Sequence, residues 1–233
     1  MRRLRGWPVI RGAEPRATEA DRTVRIRREA DRSRGAPDEF DRAFGVETRL
    51  AISLADLCRI IVRGGNEHEP SPPDLVREVI ASLDVNFPET VFIDYGSGAG
   101  RVVALASEFP FKTVIGVELT AALHARAQAT VAAIRRASRP RAPISLICAD
   151  VTRYELPQEP LVIYMYNVFG PRLMPQVVAG IAASLRLRPR LVTIVALFCD
   201  RYSRPILERA PLFRPVRSER DILVLRDVLT VAP

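Results

Sequence analysis

The sequence predicts an α/β chain built on a mostly parallel, doubly wound sheet of seven strands that ends in an antiparallel hairpin. Three observations predict it. From residue 91 onward, five short runs are apolar almost throughout: VFIDY (91–95), TVIGVE (113–118), ISLICAD (144–150), LVIYMYN (161–167) and LVTIVALF (191–198). They alternate with helix-length segments, and strands apolar on both faces that alternate with helices belong to a parallel sheet covered on two sides. The last two strand-like runs, 212–216 and 221–229, are joined only by the polar turn Arg217 to Arg220. That is too short to enclose a crossover helix, so these two runs pair antiparallel.

In chain order, residues 1–36 show no sustained apolar periodicity, although Thr23 to Arg34 can form a charged helix. This arm reads as disordered or as a helix that needs a partner. From Phe40 the text changes, and Leu50, Leu54 and Leu57 are spaced for one helical face. A loop carrying Gly64, Gly65 and Asn66 follows. Ser71-Pro72-Pro73-Asp74 then opens a helix with Leu75, Val76, Val79, Ile80 and Leu83 on its apolar side. Ser71 or a neighbour can cap it, and the prolines sit where first-turn N–H groups have no intrahelical partner anyway. Between the strands, helices are expected over 101–109, 121–138 and 173–187. The expected organisation is a basic arm (1–36), a helical segment (37–89) and the sheet domain (90–233), with no internal repeat.

Composition excludes several classes. Of 233 residues 48% are apolar, too many for a disordered chain and enough for one large core. The longest apolar runs fall far short of the roughly 20 residues a membrane-spanning helix needs. The formal charge of +8 is unevenly placed: residues 1–36 hold eleven arginines against five acids, while the remainder is nearly balanced. Thirty-four of the 35 basic residues are arginine, with Lys112 the exception, and the bias runs through the whole chain rather than one patch. Cys58, Cys148 and Cys199 form no C-x-x-C pair and have only His68 and His124 to join them, so neither a disulfide framework nor a metal site is expected. They read as small buried hydrophobes. The first residues lack the apolar stretch of a secretory signal, and the arm's acids argue against a transit peptide. A cytoplasmic protein is the expectation.

The first strand runs into Asp94-Tyr95-Gly96-Ser97-Gly98-Ala99-Gly100-Arg101. Glycines here let the backbone turn tightly from strand into helix and let a ligand lie against main-chain N–H groups. A nicotinamide fingerprint, G-x-G-x-x-G, would need its third glycine at Arg101; the spacing is G-x-G-x-G instead. Asp94, two residues before the first glycine, would repel a pyrophosphate and attract an ammonium. Glu118, at the end of the second strand, can accept two hydrogen bonds from the vicinal hydroxyls of a ribose. Asp150 ends the third strand at the same sheet edge, where an adenine amino group is expected. Three acids around a glycine loop describe a pocket for a nucleoside carrying an amino-acid ammonium and a sulfonium, which is S-adenosylmethionine.

VFIDYGSGAGRVV, TVIGVELT and ICADV resemble the motifs of the class I S-adenosylmethionine-dependent methyltransferases, and the terminal hairpin matches the reversed last strand of that Rossmann-like fold. The resemblance covers about residues 38–233. Within that superfamily the chain is similar to a little-characterised bacterial group with segments like FDRAFGVET (40–48) and HEPSPP (68–73) and a fourth strand ending in N-P-F-G. It implies a cofactor site formed by Asp94, Gly96, Ser97, Gly98, Gly100, Glu118, Leu119, Asp150 and Val151, with residues 37–89 covering it. The chain departs from the group's D-L-G-S-G-K-G-R at Tyr95 and Ala99, and from N-P-F-G at Asn167-Val168-Phe169-Gly170. Many amino-group methyltransferases use Asn or Asp before proline there to hold the acceptor nitrogen, so Asn167 is the catalytic candidate. Its alternative is an asparagine bonding its own turn.

Methyl transfer from a sulfonium is an in-line displacement with an excellent leaving group, so alignment and water exclusion are the main tasks. No histidine or cysteine constellation is needed. For Asp94 the alternative is a helix N-cap. His68 and Glu69 sit where they can line the site mouth or a solvated loop; Tyr164, Met165, Tyr166 and Phe169 read as core. Two other functions stay open: a nucleic-acid-binding or RNA-methylating protein that uses the arginine-rich arm, and a catalytically idle interaction module.

Overall fold

A computed structural model of the chain describes residues 37–49, 53, 60–65, 70–137, 140–167, 169–199 and 202–230. The arm, Leu50, Leu54, Leu57, Cys58, His68 and Glu69 lie outside the described residues. Seven strands form one sheet: β1 (Val91–Tyr95), β2 (Thr113–Glu118), β3 (Ile144–Cys148), β4 (Leu161–Tyr166), β5 (Val192–Leu197), β6 (Phe213–Ser218) and β7 (Ile222–Asp227). Their order across the sheet is β3-β2-β1-β4-β5-β7-β6. The first five run parallel, and β7 is inserted antiparallel between β5 and β6. The doubly wound, mostly parallel sheet with its terminal hairpin is therefore the architecture that the strand pattern predicts. Strand order reverses between β1 and β4, and in such sheets ligands enter the crevice at the C-terminal strand ends beside the reversal.

Alternate residues of each strand feed two cores. Phe92, Val114, Val162, Tyr164, Val195 and Leu197 face one side, with Leu75, Val76, Val79 and Ile80 of helix α2 (Pro73–Ala81) and Val102 to Ala106 of α3 (Arg101–Ala106). Phe40 of α1 (Glu39–Phe44) and Val46 join that same core. On the other side, Val91, Ile93, Ile115, Ile163 and Ile194 meet Met174, Val177, Ile181 and Leu185 of α5 (Met174–Leu187). The long helix α4 (Ala121–Ala137) buries Leu123, Ala127, Thr130, Val131, Ala133 and Ile134. Such burial contributes roughly 25 cal/mol per Å² of apolar surface, which is what selects helix and strand faces here.

Several local expectations differ from the structure. Ser71 does not cap α2. The N-cap is Pro72 with no side-chain bond, and the Ser71 hydroxyl instead meets the Tyr164 phenol at 3.1 Å. Helix α3 stops at Ala106 rather than 109, because the Ser107 hydroxyl donates back to the Ala104 carbonyl at 2.7 Å and Phe109 precedes a proline. Strand β3 ends at Cys148 because Asp150 caps a short 3₁₀ turn, Val151–Arg153. As an edge strand β3 is only half covered, so Cys148 is exposed, and Cys199, just beyond the end of β5, is half-buried, against the reading of both as buried. Helix α6 (Ser203–Glu208) has no counterpart in the apolar pattern. Among the described residues no helix is long and apolar enough to cross a membrane.

The packing generates one stability prediction. A Cβ at Gly116 of β2 would lie 2.7 Å from Val103 Cγ2, 2.9 Å from Ser97 Oγ and 3.0 Å from Leu146 Cδ2. Gly116→Ala is expected to lower unfolding free energy by about 1–3 kcal/mol, the usual cost of overpacking, as read from urea titration.

Candidate functional site

The β1–α3 connection is a loop held from beneath. Gly96, Gly98 and Gly100 have φ of 78°, 53° and 83°, in the left-handed region that side chains resist. Gly96 N and Ser97 N both donate to Val117 O, at 2.9 and 3.1 Å, and Gly100 N donates to Ser97 O at 2.9 Å. Gly98 N donates to Glu118 Oε2 at 3.0 Å. All four N–H groups are thus used within the protein, so the loop is not the main-chain cradle that its glycines suggest. An anion such as a pyrophosphate finds no free donor at these positions. Gly100, not Asp94, is the N-cap of α3, which removes the capping alternative for Asp94.

Asp94 is 3% exposed and, among the described residues, its carboxylate receives no hydrogen bond. Burial pushes its carboxyl well above the usual carboxylate range, and the Glu118 charge pushes it further in the same direction. A buried, unpartnered acid is costly unless a ligand supplies the missing donor. Glu118, equally buried, uses one oxygen for Gly98 N; the other accepts from Thr120 N at 2.8 Å and Thr120 Oγ1 at 3.0 Å. A carboxylate offers about four acceptor positions, and with three of them used one remains, on Oε2, for a ligand hydroxyl. Asp150 accepts from Thr152 N at 3.0 Å, from Thr152 Oγ1 at 2.7 Å and from Arg63 Nη1 at 2.6 Å. Desolvation raises its carboxyl, but the Thr152 bonds and the Arg63 charge outweigh it, so the net shift is downward.

Glu118 and Asp150 border a cavity of about 340 Å³ lined by Gly96, Leu119, Val151, Tyr166 and Phe169 among others. That volume lies in the usual range for a small-molecule site, roughly 300–1,000 Å³. The structure thus brings Gly96, Glu118, Leu119, Asp150 and Val151 to one cavity. Asp94 and Ser97 line a second cavity of about 30 Å³, and Gly96 and Tyr166 belong to both. Gly98 and Gly100 shape the loop without lining either. Asn167 follows β4 between two lining residues but lines neither cavity itself; its φ is 44°, a left-handed backbone that asparagine tolerates. Tyr166 and Phe169, read as core, are buried and also wall the site.

Arg63, Gly65, Thr48, Ser71, Arg101 and Gln176 were not singled out as site residues by the sequence pattern. Residues 60–65 close one side: Gly65 bridges Phe169, and Gly170 N donates to Gly64 O at 2.8 Å. The signal for Arg101 was present. An arginine directly after the glycine loop, followed by Val102-Val103, places a charge at the start of a helix that the sheet must bury.

The family model for the histone methylation protein DOT1 matches residues 69–208, more than half of the chain. The chain belongs to this family. It is accordingly an S-adenosylmethionine-dependent methyltransferase, with S-adenosylmethionine as its cofactor. No curated protein matches the chain. Among solved structures, this DOT1-family chain is similar to the magnesium protoporphyrin IX methyltransferase of Synechocystis PCC 6803 with bound SAH, at 16% identity and a TM-score of 0.51. The match covers 89% of this chain and 99% of that one. A ribosomal protein L11 methylase from Lactobacillus delbrueckii subsp. bulgaricus matches at 13% identity and a TM-score of 0.50, over 78% and 83% of the two chains. A predicted N6-adenine-specific DNA methylase from Listeria monocytogenes matches at 11% identity and a TM-score of 0.52, over 68% of this chain and 51% of its own. At these identities the likeness concerns the fold.

The buried acid sets a pH dependence. A carboxyl whose folded value is raised stabilises the protein fully below its unfolded value, 3.8, and that contribution is lost as pH rises through the folded value. Asp94→Asn removes this loss. At pH 8 the ligand-free variant should therefore melt above wild type by at least about 2–4 °C, the shift that 1 kcal/mol produces in a chain of this size, and the gap should narrow toward pH 4.

Proposed function

We propose that Asp94 receives the ammonium of the cofactor, Glu118 a ribose hydroxyl and Asp150 with Leu119 and Val151 its adenine, and that the methyl acceptor is an amine approaching the end of β4. The observation that carries the reading is the buried carboxylate of Asp94, unpartnered among the described residues, in a small cavity that shares Gly96 and Tyr166 with a nucleoside-sized one. The residues present fit the cofactor: the donor-poor loop suits a cation, and each acid stands at the end of a successive strand β1, β2 or β3. The other residues that the resemblance implies for the cofactor, Gly96, Ser97, Gly98 and Gly100, act through loop shape rather than through N–H donation. Residues 37–89 supply part of the cover, and a reducing cytoplasm suits the free thiols of Cys148 and Cys199.

When bound, the cofactor supplies an electrophilic methyl group on a sulfonium that is already a good leaving group. The chain's own task is to align and to exclude water. The contact of Gly64 and Gly65 with Phe169 and Gly170, and the 2.6 Å ion pair from Arg63 to Asp150, close the nucleoside side. Asn167, held by its N–H to Leu197 O at 3.0 Å, presents polar groups at the strand end where an amine lone pair has to be held.

A polyanionic acceptor is the second reading. Arg153 lines the cavity and Arg172 packs beside Gly64 at its edge; both are exposed and neither is ion-paired among the described residues. The eleven arginines of residues 1–36 add to it, and RNA then provides the amine on a base.

Binding of S-adenosylhomocysteine to the purified chain, measured calorimetrically, tests the site. Asp94→Ala and Glu118→Ala are each expected to weaken it about 10–100-fold, the worth of a hydrogen bond to a charged group. A wild-type chain that prefers NADH would sink the reading. Transfer of labelled methyl to cell extract identifies the acceptor class. Protease-sensitive or small-molecule label supports the first reading, whereas nuclease-sensitive label, lost on deleting residues 1–36, supports the second. Asn167→Ala should leave cofactor affinity within about twofold while cutting label transfer about tenfold or more.

A further inference from the structure

Arg101 stands in the first turn of α3, where a cation faces the positive end of the helix dipole, so helix stability does not account for it. The residue is 3% exposed. Its Nε donates to Thr48 Oγ1 at 2.7 Å, its Nη1 to Asp38 Oδ2 at 2.6 Å and its Nη2 to Asp41 Oδ1 at 3.0 Å. The guanidinium carbon lies 5.0 Å from the centre of the Phe40 ring. Asp41 also accepts from Thr48 Oγ1 at 2.5 Å and from Thr48 N at 3.2 Å, and Asp38 from Arg49 Nη1 at 3.1 Å. Apolar replacement of such buried ion clusters is often neutral or stabilising, so stability by itself is a weak reason for one.

The placement of the cluster supplies a better reason. Thr48 and Arg101 form, with Ser71, Asp94, Ala99 and Tyr166, much of the wall of the 30 Å³ cavity. A space of that size admits a group about as large as one water molecule, which an ammonium is. Two arginines and two aspartates balance within the cluster, leaving no positive charge for Asp94. The cation that Asp94 lacks has to arrive with a ligand. Because Gly96 and Tyr166 wall both cavities, a ligand whose nucleoside fills the larger one can extend its charged end into the smaller.

We propose that Thr48, held by Asp41, walls the subsite for the ammonium at the amino-acid end of the cofactor, and that Arg101 is the positioning residue that fixes Thr48 and the segment 38–48 behind it against the glycine loop. The inference rests on the cofactor site proposed above. It makes the N-terminal segment part of what distinguishes a nucleoside with an amino-acid end from a bare nucleoside. Arg101 also lines this cavity, but its Nε, Nη1 and Nη2 are spent on Thr48, Asp38 and Asp41, so it acts through them.

The test compares two probes on the full chain: S-adenosylhomocysteine, and 5′-methylthioadenosine, which lacks the amino-acid end. Arg101→Lys keeps one charge but not the forked geometry. It is expected to weaken S-adenosylhomocysteine binding tenfold or more and 5′-methylthioadenosine binding less than about twofold. Thr48→Val, nearly the same in shape and without the hydroxyl, should show the same selective loss with a smaller effect on folding. Asp94→Asn should do so as well. Parallel loss for both probes would mean that Arg101 serves the fold alone, and would overturn the proposal, as would no loss for either. A wild type that binds both probes equally would overturn this inference while leaving the nucleoside site intact. A wild type that binds neither would overturn the site itself.

Discussion

The site depends on the hydrogen bond from Gly98 N to the Glu118 carboxylate, 3.0 Å long and buried. It fastens the loop after β1 to the end of β2, and the rest of the local geometry follows from that closeness. Gly116 has no side chain because Ser97 lies over it, and Gly100 has none because a Cβ there would come within 3.0 Å of Ala127 Cβ on α4. Drawn down in this way, the loop spends its N–H groups on Val117, Ser97 and Glu118, and what it offers a ligand is the carboxylate of Asp94 beside it. A glycine-rich turn cradles phosphate when its donors face outward; with four of them turned inward here, the carboxylate beside it suits the cation proposed for this site. The sign of the ligand is decided by where the backbone hydrogen bonds go, not by the number of glycines.

That arrangement opposes the stability of the free protein. Asp94 is buried near a second buried acid and has no partner among the described residues, so giving up its proton costs more than it would in water. A bound cation removes the cost, and mass action then favours the folded state by about 2.7 kcal/mol at a hundredfold excess over Kd. The ion cluster around Arg101 works differently. It is balanced within itself and joins α1 to the first turn of α3, so the N-terminal segment is held at the glycine loop before any ligand arrives. An unbalanced charge in a rigid, already balanced surrounding is a preorganised site: ligand binding then orders little and relieves much.

The sheet was legible because its signal is short-range and repeated. β1 and β2 have the bounds that their apolar runs predict, and β4 and β5 differ by a residue at the ends. What escaped were features set by a single side-chain bond. Ser71 has the sequence context of an N-cap, yet Tyr164, 93 residues away, claims its hydroxyl. Asp150 continues an apolar strand in the text, but its carboxylate turns the chain into a 3₁₀ segment by accepting from Thr152. The three acids were found because their spacing relative to strand ends is local. Thr48, Asp41 and Arg101 were not combined, since 53 to 60 residues separate the arginine from its partners and nothing in either segment alone announces the other. α6 was invisible because six residues with a proline among them carry no helical period.

The end of β4 shows how one substitution redirects a site. A proline after Asn167, as in the group that the chain resembles, would hold the asparagine extended, because a pre-proline residue is pushed toward β and polyproline conformations. With Val168 in that place, Asn167 is free to take a φ of 44°, and of the ordinary side chains asparagine is among the few that bear it at small cost. The turn then carries Phe169 into the wall of the cavity, its ring 6.4 Å from that of Tyr95 and its carbonyl bonded by the Ser203 hydroxyl at 2.9 Å. Left-handed residues outside glycine gather where surrounding structure over-determines them, and here Leu197 holds Asn167 while Ser203 and the Gly65 bridge hold Phe169. Where the resembled group has a rigid proline turn, this chain therefore places an aromatic in the wall of the cavity, at the strand end where the proposed acceptor would approach.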